Sequence, residues 1–264
     1  MTSSRSRQRI GSALFAAPAL IVPIAVIAAI IWARESFYLG HAAAFKTGSP
    51  TISRAISEPG IAVTFATTVT LAAALLALIC WRILVMYAHT IRTVFPDRAR
   101  GRTTAFCLVG LAGAAQACSV TGIVSLSWLT ERTLHIGSSY LFFFGQACAI
   151  LFISLICIAL LKQEPYRNSG VARQGLSPRL SRVRAVAGPA IAATAVVFWI
   201  LFLIRDAADP VPKWLDQVFS TLEIVLIFSF LGYLAGFSVE LYRWHRARSE
   251  AGHAIPVVSR PAPT

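Results

Sequence analysis

Residues 138–161 read SSYLFFFGQACAILFISLICIALL, with no Asp, Glu, Lys or Arg anywhere in the run. A helix crosses the roughly 30 Å hydrocarbon core of a bilayer with about 20 predominantly apolar residues, and this run is long enough. Residues 61–80, IAVTFATTVTLAAALLALIC, are equally free of charge. Four further stretches meet the same criterion, so the predicted spans are 11–33, 61–80, 105–129, 139–161, 186–204 and 218–238. A helix that is apolar all round is made for lipid or a deep core, and six of them in 264 residues leave no water-facing shell. The reading is an all-α, polytopic membrane protein. Residues 11–245 form one bundle of six transmembrane helices, between a basic cytoplasmic N-terminus (1–10) and a flexible cytoplasmic tail (246–264).

The first span is checked against a signal peptide, because Arg5, Arg7 and Arg9 precede it. Its apolar stretch, 13–32, exceeds the usual 7–15 residues of a signal sequence, so a retained helix is expected. Pro18 and Pro23 are expected to bend it, since proline lacks a backbone donor and clashes with the preceding turn.

Composition agrees. Hydrophobic residues make up 56% of the chain and charged residues 13%, about half of what a soluble domain carries. That balance excludes a disordered chain. The net charge of +13 would suit a nucleic-acid binder, but its distribution suits something else. Alternating the six spans puts 18 of the 24 Lys and Arg residues on the side of the two termini. The other side holds Arg34, Lys46, Arg54, Arg132, Arg205 and Lys213. Such a bias predicts N-in, C-in topology. The basic face could also attract anionic lipids, while no folded basic module is present for a nucleic acid. All five cysteines fall in or at the edge of spans, which excludes a disulfide framework and suggests no metal site. No cofactor is expected.

Polar residues inside the spans cluster by depth. Thr67, Thr121, Gln146 and Glu223 each lie four or five residues outward from the centre of their spans. This predicts a polar layer in the outer half of the bundle. Glu223 is the costliest member, at about 2.5–3.5 kcal/mol for an acid near a helix centre, so it should face the bundle and find a partner. His135, Arg54 and Gln146 are the candidates. A helix-locking hydrogen bond and a place in a ligand site are both open readings. Helix packing is expected through the GxxxG pair Gly232 and Gly236. A small-residue face containing Gly113 and Ala117 is expected to pack in the same way.

The run Pro50-Thr51-Ile52-Ser53-Arg54-Ala55-Ile56, then Glu58-Pro59-Gly60, resembles the Pro-x-Ile/Val-Ser signature of the Frag/DRAM/Sfk family, the family of the CWH-type N-terminal domain. Leu134-His135-Ile136-Gly137 resembles the family's histidine before the fourth span, and Leu222-Glu223 its intramembrane acid. The resemblance covers about residues 12–245 and implies six spans, N-in and C-in topology and a connection to membrane lipids. It carries over Pro50, Ile52, Ser53, His135 and Glu223 as matched positions, without an activity. The membrane would be the plasma membrane in a bacterium and an endomembrane in a eukaryote. Two function classes follow. One is a non-enzymatic protein whose outer-half cavity, lined by Pro50, Ile52, Ser53, Arg54, Thr67, Thr121, His135, Gln146 and Glu223, holds a lipid or a partner membrane protein. The other is an acyl-transfer enzyme of the outer leaflet, with Ser53 as nucleophile, His135 as base and Glu223 orienting it.

Overall fold

A computed structural model describes residues 2–41, 51–95, 100–128, 131–168, 175–208 and 210–253. Among them the chain forms helices α1 (Thr2–Ala16), α2 (Pro18–Gly40), α3 (Ile52–Ile56), α4 (Pro59–Val94) and α5 (Arg100–Trp128). They continue with α6 (Arg132–Leu161), α7 (Glu164–Asn168), α8 (Pro178–Ala207), α9 (Lys213–Ala235) and α10 (Ser238–His253). Six helical stretches are long and apolar enough to cross a membrane: Gln8–Gly40, Pro59–Val94, Arg100–Trp128, Thr133–Leu161, Pro178–Ala207 and Lys213–Glu250. The described residues of all six predicted spans fall on these stretches, which run past the apolar windows at most ends. The 36 residues of α4 measure about 54 Å, so this helix tilts or projects beyond a core of about 30 Å.

The long helices form a closed ring. α2 packs on α4, α4 on α5, α5 on α6, α6 on α8 and α8 on α9, and α9 returns to α2. The short α3 touches α2, α4 and α9 and sits in one end of the ring. At the other end α1 packs on α10, with Ser12 Oγ 3.1 Å from His245 Nδ1. No break in helical backbone accompanies Pro18. Pro18 opens α2, and Ala17 before it keeps right-handed helical angles. The segment 1–10 is mostly helical as part of α1, and the tail is helical to His253; residues 254–264 lie outside the described residues.

Local chemistry sets the ends of the elements around α3. Thr51 is extended and caps α3, its Oγ1 accepting the Arg54 N–H at 3.3 Å. Ser57 ends the turn, its hydroxyl donating to the Ser53 carbonyl at 2.7 Å, and Pro59 opens α4, where its missing N–H is no loss. Glu131 caps α6 by accepting the N–H groups of Thr133 and Leu134 at 3.0 and 2.8 Å. Those two bonds hold its carboxyl below the usual carboxylate range.

The tightest backbone-to-backbone approaches are at glycines other than those the sequence pointed to. A Cβ on Gly122 of α5 would lie 2.4 Å from the Phe142 backbone nitrogen. One on Gly145 of α6 would lie 2.7 Å from the Ala115 carbonyl oxygen. Gly232, by contrast, is exposed, with nothing within 4 Å of its would-be Cβ, and Gly236 is an exposed helix end. The GxxxG expectation is therefore corrected within this chain: α9 turns its buried face, from Leu215 to Leu234, away from Gly232. Gly113 does face α4, 3.2 Å from Leu84 Cδ1, but Ala117, one turn further along α5, is exposed.

Two buried polar networks lock the bundle. Near the middle, Gln146 Oε1 accepts from Gln116 Nε2 at 3.2 Å and from Ser119 Oγ at 3.0 Å, joining α5 to α6. At the α10 end, Arg184 pairs with Glu240 at 5% and 0% side-chain exposure. Arg184 also donates to the Gly236 carbonyl at 2.9 Å and lies over the Phe237 ring, while Glu240 accepts the Ser177 N–H at 2.7 Å. Part of the segment between α6 and α8 is anchored by this network and by the buried Tyr166 and Leu176. Its residues 169–174 lie outside the described residues.

Candidate functional site

Glu223 sits on α9 and is 6% exposed, so it faces the bundle and not lipid. Its partner is none of the three side chains expected. Oε2 accepts the backbone N–H of Ile52 at 3.1 Å. Ile52 is the first residue of α3, and its N–H is one of the donors that a helix start leaves without an internal acceptor. One hydrogen bond therefore answers two needs: the carboxylate gains a donor, and α3 is pinned into the end of the ring. The other oxygen, Oε1, accepts no hydrogen bond among the described residues.

Two cavities meet at this carboxylate. The first, about 290 Å3, is polar at its mouth and lies between α3, α6, α8 and α9. Ser53, Arg54, His135, Ser139, Arg205, Asp206 and Glu223 are among its polar groups. The second, about 80 Å3, lies inside the ring, lined by Val69, Ala73, Phe142, Gln146 and Ile227 among others. Ser53, Phe143 and Glu223 line both. The result is a funnel with a polar entrance, a carboxylate at its waist and a hydrocarbon interior. Among the described residues no three His, Cys, Asp or Glu side chains converge as a metal cluster would.

Of the predicted lining, Ile52, Ser53, Arg54, His135, Gln146 and Glu223 come together here. Pro50 lies outside the described residues. Thr67 and Thr121 do not join them: both are exposed on the outer surface of the ring. Their depth matched the layer, but their helical phase did not, because α4 buries Phe65, Ala66 and Val69, and α5 buries Ser119, Gly122 and Leu126. The triad geometry also differs from the catalytic proposal. The Glu223 carboxylate is committed to Ile52 N–H and makes no hydrogen bond to His135.

The sequence reading missed the aromatic wall on α6, α8 and α9. Tyr140 stands 4.4 Å from Trp199 and 5.4 Å from Phe202, ring centre to ring centre, and Phe202 stands 5.6 Å from Phe219. Arg205 lies over Phe219 at 5.0 Å, with Nε and Nη2 held by Asp216 Oδ1 at 3.0 and 2.8 Å. The spacing of Phe198, Trp199, Phe202 and Arg205 along one helix was the available signal, since residues three and four apart share a face.

A family model described as the Frag1/DRAM/Sfk1/Cwh43P N-terminal domain matches residues 11–244. The chain belongs to this family. Within this Frag1/DRAM member the match spans all six membrane helices and both cavities. No curated protein and no solved structure matches the chain. The protein is thus an integral, multi-pass membrane protein of the Frag1/DRAM family.

Proposed function

We propose that the protein binds a membrane lipid non-enzymatically, its polar part at the mouth beside Arg54 and His135 and a hydrocarbon chain in the ring interior. The observation that carries this reading is the junction of a polar and an apolar cavity at Glu223, Ser53 and Phe143. An amphiphile has the same order of parts. The polar chamber, at about 290 Å3, is near the lower bound of about 300 Å3 for small-molecule sites, and the apolar branch extends it. The end carrying α1 and α10 is assigned to the cytoplasm on the bias of Lys and Arg, which places the funnel in the outer leaflet. The basic end is left to meet anionic lipids, and the exposed Gly232 face is available to a partner membrane helix. The host membrane is the plasma membrane in a bacterium and an endomembrane in a eukaryote.

Acyl transfer is the second reading, favoured by the presence of Ser53, His135 and Glu223 on one cavity. It requires Glu223 to leave Ile52 before it can orient His135.

Mass spectrometry of lipids retained by the purified protein tests the lipid reading. Ala73 is 3% exposed and lines the apolar branch. Ala73→Leu fills that branch, at an overpacking cost of about 1–3 kcal/mol if the walls do not yield. The expected result is a lipid retained by the wild type and reduced about tenfold in Ala73→Leu at unchanged helix content. Identical lipid profiles would contradict the reading.

A further inference from the structure

The short helix α3 stands among three cavities, and the funnel uses two of them. The third, about 190 Å3, is lined by Ile56, Ala62, Val63, Ala66, Leu126 and Trp128 among others, where α3, α4 and α5 meet. It shares Ser57 and His135 with the polar chamber, and Ile56 and Leu126 with the interior branch. Val63 and Trp128 are 64% and 51% exposed, so this space is a groove on the outer surface of the ring, facing the bilayer.

The hydroxyls and the indole on its wall are already engaged within the protein. Ser57 donates to the Ser53 carbonyl at 2.7 Å, and Ser127 donates to the Ile123 carbonyl at 2.7 Å. The Trp128 N–H crosses from α5 to α4 and donates to Thr70 Oγ1 at 2.9 Å. His135 stands at the end shared with the polar chamber. A wall of methyl groups and one large ring, its donors satisfied, suits hydrocarbon and not a headgroup.

The interior branch has no room for two chains. One water-sized group needs about 10–15 Å3, so a cavity of about 80 Å3 takes about six of them, a single chain in file. A lipid with two chains and its polar part at the mouth must put the second chain elsewhere. The groove is the apolar space that continues from the mouth on the other side of α3, through Ser57 and His135.

We propose that the funnel takes a two-chain lipid that straddles α3, one chain inside the ring and the other in the groove between α4 and α5. The assignment rests on the lipid-binding reading above and adds the chain class and a second subsite. Because the groove faces the bilayer, such a lipid enters sideways and only one of its chains leaves the membrane.

Chain number is tested with headgroups held constant. The full-length protein in maltoside micelles is incubated with a polar lipid extract of its expression host. An equal amount of the same extract, cut to single-chain lipids by phospholipase A2 and freed of fatty acid, is present as competitor. The protein is repurified and its retained lipids are quantified by mass spectrometry. The second chain exchanges one hydrocarbon for another and gains only packing contacts, so a preference of about tenfold for two-chain lipid is expected. Ala62→Leu, at a half-buried position, and Val63→Phe, at an exposed one, fill the groove. Each should erase the preference while single-chain lipid is still retained. Ala117→Leu adds the same atoms to the exposed surface of α5 away from the groove and should leave the preference intact. Equal retention of both kinds by the wild type overturns the two-chain assignment alone. So does a preference that survives both groove variants, or one that Ala117→Leu also abolishes. No lipid of either kind retained by the wild type overturns the lipid-binding reading, and the assignment falls with it.

Discussion

Arg184→Ala is expected to destabilise the protein by about 3–5 kcal/mol, the effect of leaving one member of a buried ion pair without the other. Both side chains are out of solvent, at 5% and 0% exposure. Each is also tied to backbone: Arg184 to the Gly236 carbonyl at the end of α9, Glu240 to the Ser177 N–H just before α8. The pair thereby fixes three chain segments at one point, with Phe237 beneath the guanidinium at 3.6 Å. Removing the cation leaves a carboxylate that α8, α10 and Ser177 still enclose. The thermal midpoint of the detergent-solubilised protein reads the loss. Arg184→Met together with Glu240→Leu should recover most of it, because well-packed apolar replacements of a buried pair are often neutral or stabilising. Equal midpoints for Arg184→Ala and the wild type would show that the pair does not hold this end together.

Gly122→Leu should separate α5 from α6. The added Cβ alone would lie 2.4 Å from the Phe142 nitrogen, 2.8 Å from the Ser138 oxygen and 2.9 Å from the Leu141 carbonyl carbon. All three are backbone atoms, so no side-chain rotation relieves the clash. One helix must move, and the Gln146 network with Gln116 and Ser119 lies on the same interface. Overpacking typically costs about 1–3 kcal/mol, and a backbone clash belongs at the top of that range or beyond it. Gly145→Leu should behave alike, its Cβ meeting the Ala115 oxygen and the Ser119 nitrogen at 2.7 Å. Gly232→Ala is the contrast: it meets open space and gains up to about 1 kcal/mol of helix propensity. Thermal midpoints of the three variants check this order. A large loss in Gly232→Ala would reveal a contact with another molecule at that face.

These two expectations also mark where the sequence could be read and where it could not. Span number and helix class follow from hydropathy over windows of about 20 residues, which needs no knowledge of neighbours. The burial of Glu223 was legible for a similar reason, since the cost of an acid in lipid fixes its direction. Its partner was not, because Ile52 offers a backbone N–H, and every residue except proline has one. Thr67 and Thr121 were misplaced because depth along a helix says nothing about rotation around it; their phase becomes visible only when Val69 and Ser119 are seen facing in. Arg184 falls among the flanking cations whose number orients the chain, and a count of charges carries no pairing with Glu240. Tyr140 and Trp199 lie on different helices, and only the packing of α6 on α8 brings them to one wall of the cavity.

The funnel that narrows at Glu223 is the centre of this account. An electron cryomicroscopy map of the full-length protein in lipid nanodiscs tests it most directly. The account predicts elongated density entering beside Arg54, passing the Glu223 carboxylate and continuing along Val69 and Ile227 toward Gln146. A ring interior closed by side chains, with lipid density confined to its outer surface, would contradict it.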